Sequence, residues 1–212
     1  MDLEQIRRDY GLGTLKREQL HDDPHQQFAL WLQQAIDAEL SADPTAMTIA
    51  TVDGEGCPSQ RVVLLKGHDS QGLRFYTNKQ SHKGRDLALN PNICAHFSWL
   101  PLERQVSIKG QVEPLTDEQN DRYFHARPKA SQVGALVSQQ SQPISGRETL
   151  DQQFERLMAQ YADQEVPRPG HWGGYLIKPT EFEFWQGGRN RLHDRFLYQL
   201  DAGQWTVQRL QP

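Results

Sequence analysis

The sequence predicts a mainly β domain, an antiparallel barrel with helices inserted between its strands. Short runs of residues that favour strands follow one another along the chain, and turn residues separate them. Helical segments interrupt these runs without alternating with them one for one, as they would in a parallel sheet. The sequence contains neither the fingerprint G-x-G-x-x-G nor the phosphate loop G-x-x-x-x-G-K-[ST]. We therefore expect neither a dinucleotide-binding parallel sheet nor a nucleoside triphosphatase.

Length, charge and cysteine content limit the class of protein. A chain of 212 residues can bury a core without metal or disulfides, and we expect a flexible arm at 1–20, which has few apolar anchors, before a single domain at 21–212. A net charge of −4 offers no basic surface to nucleic acid. Cys57 and Cys94 form no metal motif, which predicts no metal site and a reducing, cytoplasmic location. Because no apolar run approaches about 20 residues and no signal-peptide core is present, we expect no membrane partner.

The first third of the chain predicts one helix and a strand meander. Asp23 and Pro24 suit the cap and the first turn of a helix. The runs AMTIATVD, SQRVVLLK and LRFYT then predict three strands, separated by the turn segments GEGCP and HDSQG. Because valine and leucine occupy both faces of SQRVVLLK, we expect this strand to be buried on both sides. The positions of the helix expected to face the core are Phe28, Trp31, Leu32, Ala35 and Ile36.

Capping residues place the later helices. Ser81 is expected to cap a short helix through Leu89, and Thr116 with Gln119 forms a capping box for another. The runs ICAHFSW and RQVSIKGQVEPL predict a strand pair between these helices. After the turn segment VPRPG, four more strands are predicted by HWGGYLIK, EFEFWQ, RFLYQL and WTVQRL. Two further helices are predicted, one from Ser131 and one across 147–162.

The segment RLHDR, residues 191–195, concentrates cations behind an aromatic pair and a double glycine. If this segment is extended, its period of two puts Arg191, His193 and Arg195 on one face. Two interpretations remain open: the cations protect a solvated edge strand, or they surround an anion or an electron-rich ring. The second is favoured because the preceding residues suit the close approach of a flat ligand. These are Phe184, Trp185, Gly187 and Gly188.

The same region resembles the signature of the pyridoxamine 5'-phosphate oxidases, a family of flavoproteins that make pyridoxal 5'-phosphate. The similarity comprises EFWQ at 183–186 and, four residues later, RLHDR at 191–195. Other segments resemble the family in the same order along nearly the whole chain, among them PTAM, QRVVLLK, FYTN, LERQV, YFHARP and SQQSQPIS. The resemblance implies a split β-barrel homodimer that holds flavin mononucleotide (FMN) at the subunit interface.

A phosphate cradle for the substrate is implied by the resemblance. Tyr123 and Arg127 are four residues apart and share a helix face, and Ser131 lies where the next helix begins. From the residues alone, an ordinary surface pair is the more common explanation for tyrosine and arginine at this spacing. The resemblance implies instead that Tyr123, Arg127 and Ser131 bind the substrate phosphate together with Lys66.

A second set of residues is assigned to FMN by the resemblance. A phosphate requires cations and hydroxyls, and the edge of the flavin ring requires amide donors and acceptors. Taken singly, Gln105, Trp185 and Ser141 have plainer roles as a ladder residue, a core aromatic and a turn residue. One position departs from the family: His82 stands where arginine is expected, so we expect weaker and more pH-dependent FMN binding. The implied set is Arg61, Val62, Val63, Leu64, Leu65, Lys66, Tyr76, Thr77, His82, Lys83, Gln105, Gln140, Ser141, Trp185 and Arg195.

The implied reaction is oxidation by O2 of the 4'-aminomethyl or 4'-hydroxymethyl group of a phosphorylated B6 vitamer. Its products are pyridoxal 5'-phosphate, H2O2 and, from the amine, ammonia. Arg191 and His193 are the catalytic candidates: Arg191 holds the pyridine ring and His193 contacts the polar edge of the substrate. The charge of Arg195 is expected to stabilise reduced FMN. Two alternatives stay open, a split-barrel flavoprotein that reduces another ligand with a nicotinamide partner, and a carrier of flavin or pyridoxal phosphate.

Overall fold

An antiparallel sheet of nine strands organises the part of the chain that the computed structural model describes, residues 1–5, 8–40 and 43–212. The strands are β1 (Ala46–Val52), β2 (Pro58–Leu64), β3 (Gly67–Asp69), β4 (Gly72–Asn78), β5 (Asn92–Trp99), β6 (Arg104–Pro114), β7 (Trp172–Gln186), β8 (Asp194–Asp201) and β9 (Gln204–Leu210). The inserted helices are α1 (Pro24–Asp37), α2 (His82–Leu89), α3 (Asp117–Ala126), α4 (Lys129–Val137) and α5 (Arg147–Gln160). The prediction of a mainly β, antiparallel fold with inserted helices is confirmed.

The strand order is β2-β1-β5-β6-β7-β4-β3, and β8 and β9 extend the sheet from β7. β2 and β4 are far apart in this order and yet contact each other, because the sheet curls into a half-barrel. β7 pairs with β4 through its first half, with β8 through its second half and with β6 along both. The sequence predicts two strands where β7 is continuous, and this division is wrong. The strand runs through Pro179 because the β6–β7 register shifts at Gly110, and irregular pairing tolerates a proline.

Helix α1 covers the inner face of the sheet and forms the main core with it. Asp23 caps the helix, since its side chain accepts a hydrogen bond from the backbone N–H of His25, as the sequence predicts. Phe28, Trp31 and Ala35 are buried. Ile36 is 42% exposed, so its assignment to the core is wrong. At 3.6 residues per turn, it lies at the margin of the apolar stripe that the other three define.

A second, smaller core joins α3, α4 and α5 to the start of β7. Its buried members are Phe124, Val133, Val166 and Trp172. The capping box at Thr116 is confirmed. α4 begins at Lys129, two residues before the predicted start, because the carbonyl of Pro128 accepts the first helical hydrogen bonds. Within the described residues no helix combines the length and the apolar character needed to cross a bilayer.

The N-terminal segment carries more apolar anchors than the sequence suggests. Leu15 and Leu20 are buried in the main core, and the backbone N–H of Leu15 donates to Oδ2 of Asp194 at 2.9 Å. The expectation of few anchors is therefore wrong for these leucines, whereas flexibility of residues 1–20 remains a prediction.

β2 differs from its predicted environment. It lies at the end of the strand order and pairs only with β1 in the described sheet, so it is an edge strand. Val62 is 65% exposed and Leu64 is 38% exposed. The expected burial on both faces is therefore wrong within this chain, and an apolar edge is left open beside the site described next.

Candidate active site

A cavity of about 550 Å³ lies between the β2 edge, β4 and the helices α3 and α4. The end of β4 and the first turn of α2 line one side of it with Tyr76, Thr77, Asn78 and Lys83, and the break between α3 and α4 supplies the opposite wall. The structure thereby unites all four residues of the predicted phosphate cradle with part of the predicted FMN set. The predicted residues that line the cavity are Val62, Val63, Leu64, Lys66, Tyr76, Thr77, Lys83, Tyr123, Arg127, Ser131 and Gln140.

Arg127 is a partly buried cation in the wall of the cavity that α3 and α4 form. Its Nη2 donates to the backbone carbonyl of Ser131 at 2.8 Å, whereas Nη1 is buried and has no partner in the described part of the chain. Burial lowers the pKa of the Arg127 guanidinium. A buried donor without an acceptor is costly, so this group requires an acceptor from outside the described residues.

An aromatic wall stands behind Arg127. The rings of Tyr76 and Tyr123 stack at 4.0 Å between centroids, and Trp172 stacks on Tyr76 at 5.3 Å. The guanidinium carbon of Arg127 lies 4.9 Å from the centroid of Trp172. Sequence reasoning missed Trp172 as a site residue. The only signal was its position beside a double glycine, in a strand whose pairing with FYTN was not predictable.

The N-terminus of α2 forms the opposite end of the cavity. Lys83 is only 7% exposed, and its Nζ donates to Oε1 of Gln140 at 2.7 Å, to Oγ1 of Thr77 at 3.2 Å and to Oγ of Ser81 at 3.3 Å. Burial, and next the charge of Arg61, lower the pKa of Lys83 to about 8. A buried ammonium bonded only to neutral oxygens at a helix N-terminus is a suitable seat for an anion.

Two further members of the FMN set flank this helix terminus. Ser141 adopts a left-handed backbone conformation, with φ of 70°, and its Oγ accepts from the backbone N–H of His82 at 3.2 Å. The imidazole of His82 is exposed and lies 3.7 Å from Oδ1 of Asp86. The imidazole therefore has a carboxylate as its neighbour, and His82 does not line the cavity.

Arg61 and Leu65 are placed differently from the rest of the FMN set. Arg61 donates to Oγ1 of Thr51 at 2.7 Å and to Oγ of Ser59 at 2.6 Å, beside the buried Asp86. Leu65 is buried in the main core, and its backbone N–H donates to the carbonyl of Thr45. Neither side chain lines the cavity, although Arg61 acts on it through the pKa of Lys83.

A cross-strand row unites the other FMN candidates on the outward face of the sheet. Gln105 of β6 is the register partner of Trp185 of β7, which is the partner of Arg195 of β8. One neighbour of the row in each strand, Val106, Phe184 and Phe196 respectively, is buried in the core, so alternation turns the row outward. Arg195 is held in place by Glu183 at 2.8 Å and by the carbonyl of Gln211 at 3.0 Å.

The predicted extended conformation of residues 191–195 is wrong for its first half. Arg189–Arg191 form a 3-10 turn, and Asn190 and Arg191 have φ of 56° and 63°. β8 begins only at Asp194. The charges of both arginines still act on the histidine of this segment, since burial and then the charges of Arg191 and Arg195 lower the pKa of His193.

His193 has a defined orientation. Its ring lies 4.5 Å from the ring of Trp185, and its Nδ1 accepts a hydrogen bond from the backbone N–H of Gly188 at 3.1 Å. The neutral ring therefore carries its proton on Nε2.

Tyr10 occupies the space beside the double glycine. Its ring contacts Trp185 and His193 edge-on, at 5.7 and 5.3 Å, and the guanidinium carbon of Arg191 lies 5.7 Å from its centroid. The close approach that the glycines suggested is therefore made by this chain's own side chain. The sequence placed Tyr10 only within the arm predicted at residues 1–20, of which Arg7 lies outside the described residues.

The buried carboxylate of Glu103 holds the segment that carries Tyr10. Its Oε2 accepts from the backbone N–H groups of Gly11 and Leu12 at 2.8 and 2.9 Å, and Arg8 lies 3.4 Å from Oε1. The hydrogen bonds from Leu12 and Gly11 and the charge of Arg8 lower the pKa of Glu103.

Two models of protein families match the chain. One, described as pyridoxamine 5'-phosphate oxidase, matches residues 32–161, and the other, described as the pyridoxine 5'-phosphate oxidase C-terminal dimerisation region, matches residues 172–212. The pyridoxine/pyridoxamine 5'-phosphate oxidase of Idiomarina loihiensis is 60% identical over 212 residues, which are 100% of both chains. The enzyme of the same description from Vibrio cholerae is 54% identical, again over the full length of both.

Solved structures agree with the fold. PhzG from Burkholderia lata, solved in complex with tetrahydrophenazine-1-carboxylic acid, superposes with a TM-score of 0.88 at 30% identity and covers 94% of this chain and 98% of its own. An FMN-binding protein from Nostoc punctiforme, related to pyridoxamine 5'-phosphate oxidase, has a TM-score of 0.70 at 14% identity, covering 89% and 97%. The second likeness concerns the fold alone.

Proposed function

Because the chain belongs to the pyridoxamine 5'-phosphate oxidase family, we propose that it oxidises pyridoxamine 5'-phosphate and pyridoxine 5'-phosphate to pyridoxal 5'-phosphate with FMN as cofactor. O2 is the proposed oxidant, and H2O2 and, from the amine, ammonia are the further products. We also place the protein in the cytoplasm, because Cys57 and Cys94 are both free thiols.

The unsatisfied Nη1 of Arg127 is the observation that carries the substrate proposal. Tyr123 and Ser131 line the same cavity as Arg127, and Lys66 follows the β2 edge on the other side. A phosphate offers the acceptors that a guanidinium, an ammonium and hydroxyls bind best. We propose that these four residues hold the phosphate and so set the position of the reacting C4' carbon.

The residues at the N-terminus of α2 fit the phosphate of FMN. Lys83 is a buried cation bonded only to neutral oxygens, and Thr77 and Ser141 add hydroxyls near the helix terminus. Gln105, Trp185 and Arg195 form the proposed surface for the flavin ring. When bound, FMN accepts two electrons from C4' and passes them to O2.

The proposed active site is shared between two copies of the chain. The cavity lining contains none of Gln105, Trp185, Arg191, His193 and Arg195. The chain carries the family's C-terminal dimerisation region, at residues 172–212. We propose that the exposed β2 edge, with Val62 and Leu64, packs on a second copy of the chain. This packing brings the row of Gln105, Trp185 and Arg195 of the second copy to the cavity of the first.

Arg191 and His193 are the proposed catalytic residues. Arg191 presents a flat cation that holds the pyridine ring. His193 is neutral at pH 7, since its pKa is lowered from 6.5. Its Nδ1 is occupied by Gly188, so Nε2–H is the group that donates to the polar edge of the substrate.

Two measurements test this function. The absorbance spectrum of the purified protein is expected to show bound FMN, and oxygen consumption is expected on addition of pyridoxamine 5'-phosphate without a nicotinamide. A protein with bound flavin that consumes no oxygen would be a carrier, and one that requires a nicotinamide would be a reductase. Arg127→Ala is expected to raise KM for pyridoxamine 5'-phosphate by about 100-fold, because it removes a charged hydrogen bond and leaves other groups unpaired.

A further inference from the structure

We propose that Trp172 is a positioning residue for the substrate phosphate and that it acts through Arg127. This inference rests on the proposed function, because it concerns the same phosphate cradle. Trp172 lines the cavity, is 6% exposed and lies in neither set of residues that the sequence assigns. Its indole ring is the closest aromatic face to the Arg127 guanidinium, at 4.9 Å against 5.7 Å for Phe124.

The guanidinium of Arg127 is held from two sides. The indole of Trp172 covers one of them, and the carbonyl of Ser131 accepts from Nη2 at 2.8 Å. A planar guanidinium stacks well on an aromatic ring, and tryptophan provides the most attractive face. These two contacts define the orientation of the fork while Nη1 keeps its hydrogen-bonding capacity.

An aromatic partner suits this arginine better than a carboxylate would. In the described residues no aspartate or glutamate forms an ion pair with Arg127, although burial disfavours its charge. A carboxylate would neutralise the guanidinium and compete with the phosphate for its N–H groups. The indole face attracts the cation without occupying an N–H, so the charge remains available to the ligand.

Trp172 is itself fixed by its neighbours. Its backbone pairs with Asn78 of β4, and its ring stacks on Tyr76 with planes only 10° apart. Tyr76 in turn stacks on Tyr123 at 4.0 Å. The wall therefore connects a residue of the proposed FMN set with two residues of the phosphate cradle, and Trp172 sets the position of Arg127 within it.

The test is a double-mutant cycle on the FMN-loaded protein. Trp172→Leu is expected to raise both KM for pyridoxamine 5'-phosphate and the inhibition constant of inorganic phosphate about tenfold, the size expected for a desolvated cation–π contact. kcat at saturation is expected to change less than threefold. In an Arg127→Ala background the same change is expected to have less than a twofold effect, because the two residues act as one unit.

Val166→Ala is the matched control. Val166 is fully buried in the same small core and does not line the cavity. Its truncation is expected to lower the melting temperature without changing either constant. An equal rise in both constants for Val166→Ala would assign the effect of Trp172 to general loosening of this core and overturn the proposal.

Further outcomes are decisive. Independent, multiplying effects of Trp172→Leu and Arg127→Ala would overturn the proposal. If Trp172→Leu does not fold, Trp172→Phe keeps a weaker aromatic face and is expected to raise the phosphate inhibition constant about threefold; no change in it would also count against Trp172. If the unaltered protein fails to oxidise pyridoxamine 5'-phosphate, the proposed function is wrong. The rise of the melting temperature with inorganic phosphate, which needs no turnover, then tests Trp172 separately.

Discussion

Gly187 lies directly against the ring of Tyr10. A methyl group at Gly187 would be 2.7 Å from Cδ1 of Tyr10 and 2.9 Å from Cβ of Glu103, closer than carbon atoms approach. The N–H of Gly187 donates to the carbonyl of Glu103 at 2.7 Å, so the backbone has little freedom to move away. The glycine is therefore required for the packing of Tyr10 on His193.

Gly187→Ala is expected to displace Tyr10 and lower kcat/KM about tenfold, because small displacements near a reacting centre are costly. FMN affinity is expected to stay within twofold. Gly170→Ala is the matched control, since a methyl group at Gly170 meets nothing within 4 Å. If Gly187→Ala keeps full activity in steady-state oxygen uptake, the packing of Tyr10 does not contribute to the reaction.

Arg191→Met is expected to reduce turnover about 100-fold while the protein retains its FMN, because the residue is proposed to orient substrate and lies in an exposed turn. Oxygen uptake and the flavin content of the purified protein measure the two effects. Arg189→Met, in the same turn, is the control and is expected to keep normal turnover. Equal losses of turnover and of FMN in Arg191→Met would refute the assigned role.

The lowered pKa of Lys83 predicts that FMN affinity decreases at alkaline pH. Its pKa is about 8 in the free protein, and a bound phosphate raises it, so FMN affinity decreases as the pH rises through 8. Between pH 7.5 and 9 the dissociation constant is expected to rise by up to about eightfold. Fluorescence titration of the apoprotein with FMN measures this. Lys83→Met should bind weakly with no slope in that range, and a flat profile for the unaltered protein would disprove the role of Lys83.

The buried environment of His68 predicts that the folded state loses stability in acid. Its Nε2 lies 3.4 Å from Nδ1 of His25, between α1 and β3. Burial and then the charge of His25 lower the pKa of His68 to about 4. Asp69 and Asp23 make smaller contributions that raise this pKa, and Arg74 makes a small contribution that lowers it. Burial also lowers the pKa of His25. The unfolded chain therefore binds protons between pH 6.5 and 4 that the folded chain does not, so stability decreases as the pH falls through this window.

Urea unfolding at pH 7.5 and pH 4.5 is the measurement for this pair. His68→Gln is expected to lose less stability between the two pH values than the unaltered protein. His21→Gln, at an exposed position, is expected to lose as much as the unaltered protein. Equal losses in all three proteins would show that the pair does not control acid stability.

Local chemistry accounts for the elements that were predicted correctly. The caps at Asp23, Ser81 and Thr116 each depend on hydrogen bonds to residues two or three positions away, and all are present. The errors in β7 and in the segment 191–195 lie where contacts between distant parts of the chain decide the conformation. The continuity of β7 through Pro179 depends on a register shift in β6, and the turn at Arg191 depends on packing against the N-terminal segment.

The sequence by itself determined the family, the antiparallel strands and the residue types of the candidate site. Signature spacings, strand alternation and helix caps depend on residues that are close together along the chain. Only the tertiary structure placed Trp172 against Arg127, Tyr10 against Gly187 and Arg61 outside the cavity. These contacts join residues from separate elements, and strand register and side-chain packing decide them. A linear pattern does not specify which distant surfaces will meet.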